Sequence, residues 1–309
     1  MGPFFHLTHK IVKNIIKVAI QGVAGAFHDT AAREYFKDKK IDIVPCMTFE
    51  DLFALLDNGG CDYGVVAAEN SVAGILSHNF FLLNEYSMQI VGEHYLRIVQ
   101  NLMALPGTTL HDVKEVRSHP IALRQCHLFL SRLRSKGVSI AESEDTALSA
   151  KAIRDNQLVG VAAVAGELAA KLYGLEIIQE GIESNPRNFT RFLVIEKRAG
   201  NTKHAISKKG QNNKASLSFT LRHEPGMLCK VLSIFSKHNL NMTMIQSLPL
   251  PGKEWEYKFF ADFVFEDKPA CQQALDEVVA ATGNITLSGL YRRGETSMQP
   301  FGQDCDRQR

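Results

Sequence analysis

Asn188, Thr190 and Arg191 set an amide, a hydroxyl and a permanent cation within a few positions of one another. Such a set suits a small, oxygen-rich anion, because all three side chains donate hydrogen bonds to carboxylate or carbonyl oxygens. The pair Asn185-Pro186 upstream imposes an extended or turn geometry. Phe192 to Ile195 downstream is a short apolar run of β type, read as a buried strand. The three polar residues therefore stand at a strand mouth. In isolation the stretch is better read as a strand start with one solvated Arg. Its companions elsewhere in the chain reverse that preference.

Those companions also fall at strand ends. Lys17 to Gly22 reads as a strand, Gly22 to Gly25 as a turn and Ala26 to Phe36 as a helix, an order that favours an anion at the turn. The spacing is not G-x-G-x-x-G, so a dinucleotide site is not supported. Tyr63 to Ala67 reads as a strand leading to Glu69-Asn70-Ser71; there Asn70 and Ser71 serve as ligand contacts or as caps of the next helix. Ser118 and His119 precede Pro120, which is well placed to open a helix, and Asp145 reads as the N-cap before Thr146. Glu69 and His119 are the titratable groups inside these motifs that could act as an acid, although His119 reads better as a satisfied turn residue.

Composition narrows the class. The 309 residues are 45% hydrophobic and 22% charged with net charge +2, an ordinary globular balance that implies neither a nucleic-acid nor a membrane partner. The six cysteines contain no C-x-x-C pair, so a reducing cytoplasm fits best and a metal centre is not expected. No apolar run is long enough to span a bilayer, and residues 1–16 read as an N-terminal extension without the continuous apolar region of a signal peptide.

The elements that must position the polar motifs alternate strand with helix, which predicts parallel-type α/β sheets with ligands at the carboxyl ends of the strands. Two lobes across a cleft are expected, about 17–92 with 176–197 and 93–175, the Thr190 stretch returning to the first lobe as hinge and floor. Residues 198–214 are basic and rich in Gly, Asn and Ser, a linker. Residues 215–293 follow the order βαββαβ, an α+β ferredoxin-like unit, and 294–309 form a polar tail.

The motifs together resemble the prephenate dehydratases with a C-terminal ACT regulatory domain. The resemblance rests on Gly22–His28, Glu69-Asn70-Ser71-x-x-Gly74, Ser118-His119-Pro120, Asp145-Thr146-Ala147, Asn188-Phe-Thr-Arg-Phe192, and in the second unit His223-x-Pro-Gly226 and Asn241-Met-Thr243. It implies a two-lobed catalytic domain of the type II periplasmic-binding-protein kind, conversion of prephenate to phenylpyruvate, and L-phenylalanine feedback through ACT units paired in a homodimer or homotetramer. Thr190, Glu69 and Asn70 are then expected to be catalytic. Gly25, Ala26, Ser71, Ser118, His119, Thr146, Asn188 and Arg191 are expected to bind substrate. The effector would meet His223, Pro225, Gly226, Met227, Leu228, Asn241, Gln246 and Ser247. Aromatisation drives the reaction, so no cofactor is expected.

Some positions depart from the family pattern. Ala26 and His28 stand where first-turn hydroxyls are usual, with His28 or Thr30 as replacements. Gly226-Met227-Leu228 replaces Gly-Ala-Leu, and Gln246-Ser247-Leu248-Pro249 replaces Glu-Ser-Arg-Pro. An arogenate dehydratase shares the chemistry; a non-catalytic amino-acid or solute sensor shares the two lobes.

Overall fold

A computed structural model describes residues 15–198, 211–221, 224–250, 252–254, 256–283 and 285–295. The expected extension, linker and tail fall largely outside these residues, as does His223. The first lobe runs β1 (Ile16–Gln21), α1 (Phe27–Tyr35), β2 (Ile41–Cys46), α2 (Phe49–Asp57), β3 (Tyr63–Asn70), β4 (Gly74–Ile75), α3 (Ser77–Glu85) and β5 (Met88–Arg97). The second runs β6 (Asn101–Ala104), β7 (Glu115–Ser118), α4 (Pro120–Gln125), α5 (His127–Arg134), β8 (Ser139–Glu142), α6 (Thr146–Asp155), β9 (Val161–Ala165), α7 (Glu167–Tyr173) and β10 (Glu176–Gln179). β11 (Phe189–Lys197) follows. The last unit is β12 (Lys214–Thr220), α8 (Met227–Lys237), β13 (Asn241–Pro249), β14 (Tyr257–Val264), α9 (Lys268–Thr282) and β15 (Ile285–Tyr291).

β1 pairs in parallel with β2 and β3, whereas β11 inserts antiparallel between β3 and β5. Its apolar run Phe192–Ile195 is buried on both faces, as a central strand requires. The second lobe has its own sheet, in the order β10-β6-β9-β7-β8. This moves the expected lobe boundary. All of β5 belongs to the first sheet because β11 pairs along its whole length, and β10 belongs to the second because it pairs with β6. Asn70 and Ser71 do not cap the next helix: α3 begins later, with Leu76 at its N-cap position.

The C-terminal unit has the ferredoxin-like order β13-β14-β12-β15. It is not separate. β15 lies parallel to β5 at the single register Gly289↔Ile90, so the two sheets form one of ten strands. Only a glycine fits that junction: a Cβ on Gly289 would lie 2.4 Å from the Ile90 carbonyl oxygen.

Candidate active site

Between the lobes lies a cavity of about 510 Å³, a volume that suits a small ligand. Thr190 and Phe192 reach it from β11, Ala67 and Asn70 from β3. In a regular strand residues three apart point to opposite faces. Here the register between β3 and β11 shifts, Arg191 pairing with Glu69 and Phe192 with Ala67. The extra residue, Ala68, forms a bulge that turns Asn70 back to the side of Ala67.

Asn70 organises the floor. Its Oδ1 accepts from the backbone N–H groups of Val72 and Ala73, at 2.9 and 2.7 Å. Those donors fix the amide orientation, so Nδ2 must face the other way. Nδ2 donates to Asn188 Oδ1 at 2.8 Å and to Thr190 Oγ1 at 2.9 Å. The Thr190 oxygen is thus occupied as an acceptor, and its own O–H is left to donate.

Three helices start at the cavity: α1 through Ala26, Phe27 and His28, α4 through His119 and Ile121, α6 through Asp145 and Thr146. Their N-terminal dipoles favour negative charge there. His119 caps α4, its Nδ1 accepting from the Ile121 N–H at 3.2 Å. Burial pulls the His119 pKa down, against the opposing charge of Asp145. Asp145 caps α6, accepting from the Leu148 N–H at 2.8 Å, and burial pushes its carboxyl up. His28 packs edge-on against Phe49 and Phe192, and burial lowers it from 6.5 to about 4. Gln21, Gln100, Gln125 and Glu144 complete the polar lining. No Lys or Arg is among the described lining residues, and no cluster of His, Cys, Asp or Glu among the described residues is arranged for a metal.

The sequence therefore predicts part of the wall and misplaces part. Ala26, Asn70, His119, Thr146 and Thr190 line the cavity; Asn188, 1% exposed, supports Asn70 from behind. Ser118 does not reach it, being buried with its hydroxyl donating to the Val164 carbonyl at 2.6 Å. Ser71 ties the end of β3 to the segment entering β11, donating to Arg187 O and accepting from Phe189 N. Gly25 is a docking point between lobes: a Cβ there would lie 3.0 Å from Ala169 Cα, and the Tyr173 hydroxyl donates to Ala24 O beside it at 2.5 Å.

Arg191 and Glu69 are the larger corrections. They alternate with Thr190 and Asn70, so they face away from the cleft. Arg191 is buried against Glu93, and Glu69 Oε1 lies 3.5 Å from Arg191 Nη1. Neither lines the cavity. Gln21, His28, Gln100, Gln125 and Asp145 are lining residues outside the expected set. Of these, His28, an imidazole in place of a usual hydroxyl, and Asp145, read as the N-cap before Thr146, carried a signal in the sequence; the three glutamines carried none.

At the C-terminal unit, Gly226 has left-handed φ at the N-cap of α8, which begins with Met227 and Leu228. Asn241, Gln246 and Ser247 lie on β13, which is an edge strand of this chain.

Two α/β lobes facing across a cleft, joined to a ferredoxin-like module, define a periplasmic-binding-protein-like catalytic domain with an ACT domain. The model of the prephenate dehydratase family matches residues 18–200, and that of the ACT domain residues 215–270. The chain belongs to the prephenate dehydratase family of carbon–oxygen lyases. A bifunctional chorismate mutase/prephenate dehydratase of Aquifex aeolicus is 34% identical, over 89% of this chain and 73% of that protein. Arogenate dehydratase 1 of Petunia hybrida is 35% identical, over 92% of this chain and 69% of its own length. A structure described as a novel type of quorum-quenching acylase superposes with TM-score 0.80 at 31% identity, covering 92% of this chain and 99% of that one. The L-Phe complex of a prephenate dehydratase from Arthrobacter aurescens has TM-score 0.78 at 24% identity, covering 90% of each chain.

Proposed function

We propose that the cleft converts prephenate to phenylpyruvate, releasing the ring hydroxyl as water and the ring carboxylate as carbon dioxide. The observation that carries this is the Asn70–Thr190 pair, which aims a hydroxyl proton into the cavity. The C–O bond breaks with its electron pair on the departing oxygen, which leaves as hydroxide and takes a proton from solvent to become water, while the C–C bond to the carboxylate supplies its electron pair to the ring. Thr190 donates a hydrogen bond to that hydroxyl. A threonine is too weak an acid to surrender its proton outright, so oriented donation is its role. The helix N-termini hold the dianion without a Lys or Arg among the described lining residues. No cation then binds the ring carboxylate more tightly than the neutral carbon dioxide it becomes, and holding it weakly favours its loss.

Arogenate is the second reading. Glu144 and Asp145 border the cavity, and an ammonium group on the substrate could pair with either. Steady-state turnover on prephenate, arogenate and a simple N-acyl amide, with wild type beside Thr190→Ala and Asn70→Asp, separates the readings. Prephenate turnover reduced ~10²–10⁴-fold in Thr190→Ala is expected. Asn70→Asp keeps the acceptor for Val72 and Ala73 but makes Thr190 the donor to a carboxylate, so a loss of the same order is expected. Turnover of arogenate alone moves the substrate, and amide hydrolysis without dehydration overturns the reading.

The ACT match and the L-Phe complex of the Arthrobacter relative support L-phenylalanine as effector, held between the start of α8 and β13. Leu232 and Ile245, 37% and 38% exposed on α8 and β13, support pairing of ACT units in a homodimer or homotetramer. Calorimetry with L-phenylalanine and sedimentation of the same sample test both; no heat at millimolar ligand, or a monomer, removes the respective claim. A cytoplasmic setting accords with five unpaired cysteines among the described residues.

A further inference from the structure

Behind Thr190, on the face of β11 away from the cleft, lies a buried ionic cluster. Arg191 donates from Nε to Glu93 Oε2 on β5 at 2.7 Å and from Nη2 to the Tyr291 hydroxyl on β15 at 3.0 Å. Nη2 also lies 2.6 Å from Asp262 Oδ2 on β14, a charge contact outside hydrogen-bond angles. Lys214 on β12 donates to the same Glu93 oxygen at 2.8 Å, and Ser216 shares a hydrogen bond with Tyr291 at 2.7 Å. The Gly294 N–H takes the other Glu93 oxygen at 3.0 Å. Arg191, Glu93, Asp262 and Lys214 are each at most 1% exposed at the side chain.

Two cations and two fully buried carboxylates balance, with Glu69 at the rim. The charges are split between domains. The catalytic strands supply Arg191 and Glu93; the ACT strands supply Lys214 and Asp262. Separating them would leave unpaired charge in a dry interior, where the penalty is steep. β11 therefore cannot shift against the ACT sheet while the cluster is intact. Its next residue toward the cleft is Thr190.

We propose that Arg191 is a positioning residue, which holds the Thr190 hydroxyl in place through its pairing with the ACT strands, so that the ACT sheet is part of the support of the active site. The inference rests on Thr190 acting in the reaction proposed above. Unlike a substrate cation, Arg191 acts on kcat and not on substrate affinity. Motion of β14 or β15 reaches the reacting group across one peptide unit.

The test is a double-mutant cycle on prephenate turnover in the full-length protein, Asp262→Asn against Thr190→Ala, with hydrogen exchange followed across 186–195. The substitution at Asp262 keeps the side-chain shape and removes the charge. Expected is a fall in kcat of at least about tenfold with KM within about threefold. In the Thr190→Ala background the same substitution changes kcat less than about twofold, because the group being positioned is gone. Exchange at Thr190 and Arg191 speeds at least about tenfold. Equal falls in both backgrounds mean general destabilisation and overturn the proposal, as does unchanged exchange. If Asp262→Asn does not fold, Tyr291→Phe, which removes one hydroxyl, is read in the same way. Exchange is measured without substrate, so it separates failure of the ionic coupling from failure of the dehydratase reading.

Discussion

At the scale of single residues, the cleft depends on side chains whose partners fix what they can do. Thr190 has its O–H left to donate because its oxygen accepts from Asn70, and Asn70 is oriented for this because two backbone N–H groups hold its other end. His28 is the opposite case. Its Nε2 is buried with no hydrogen-bond partner among the described residues, wedged between Phe49 and Phe192. Burial lowers its pKa from 6.5 to about 4. The folded protein then binds fewer protons at this site than the unfolded chain between those values. Its stability contribution is fully present above 6.5 and is lost as pH falls through about 4. At most about 3 kcal/mol is at stake, less because the ring remains partly exposed. His28→Gln removes the titration. Urea unfolding at about pH 7 and near pH 4.5 is expected to show wild type losing more stability than the variant; parallel losses would mean that His28 is not the sensor.

At the scale of elements, strand contacts decide which face a residue serves. The alternation of Thr190 and Arg191 is legible in the sequence, but not which of the two meets the cleft. That is settled by β5 and the ACT strands, whose acids lie far away in the chain: Glu93 and Asp262 carry no local pattern that marks them as partners of Arg191. The Ala68 bulge is equally silent, because an extra residue in one strand shows only against its neighbour's register. The helix starts at Pro120 and Asp145 are legible, since both residues use ordinary capping chemistry. The β5–β15 junction yields its own prediction. Gly289→Ala puts a methyl group 2.4 Å from the Ile90 carbonyl oxygen, a backbone contact that no side-chain rotation relieves. A loss of about 1–3 kcal/mol is expected. Thermal unfolding should fall by several degrees; an unchanged midpoint would show that the junction is slack.

At the scale of the molecule, the sequence disclosed two lobes and a ferredoxin-like unit because strand and helix periodicity is local. It did not disclose that two of the three share a sheet, since a single backbone bridge leaves no periodic trace. The placement of β11 has a consequence for how the protein is made. The second-lobe strands, β6 to β10, are consecutive and can pair as they leave the ribosome. The first lobe cannot. Until residue 197 has emerged, β3 and β5 present open edges to whatever strand is near, a hazard for a growing chain. Arg191 then enters the interior before Lys214, Asp262 and Tyr291 have been synthesised. The order of synthesis thus lets the second lobe fold early, whereas the buried partners of Arg191, the neighbour of Thr190, are complete only when the final strand arrives.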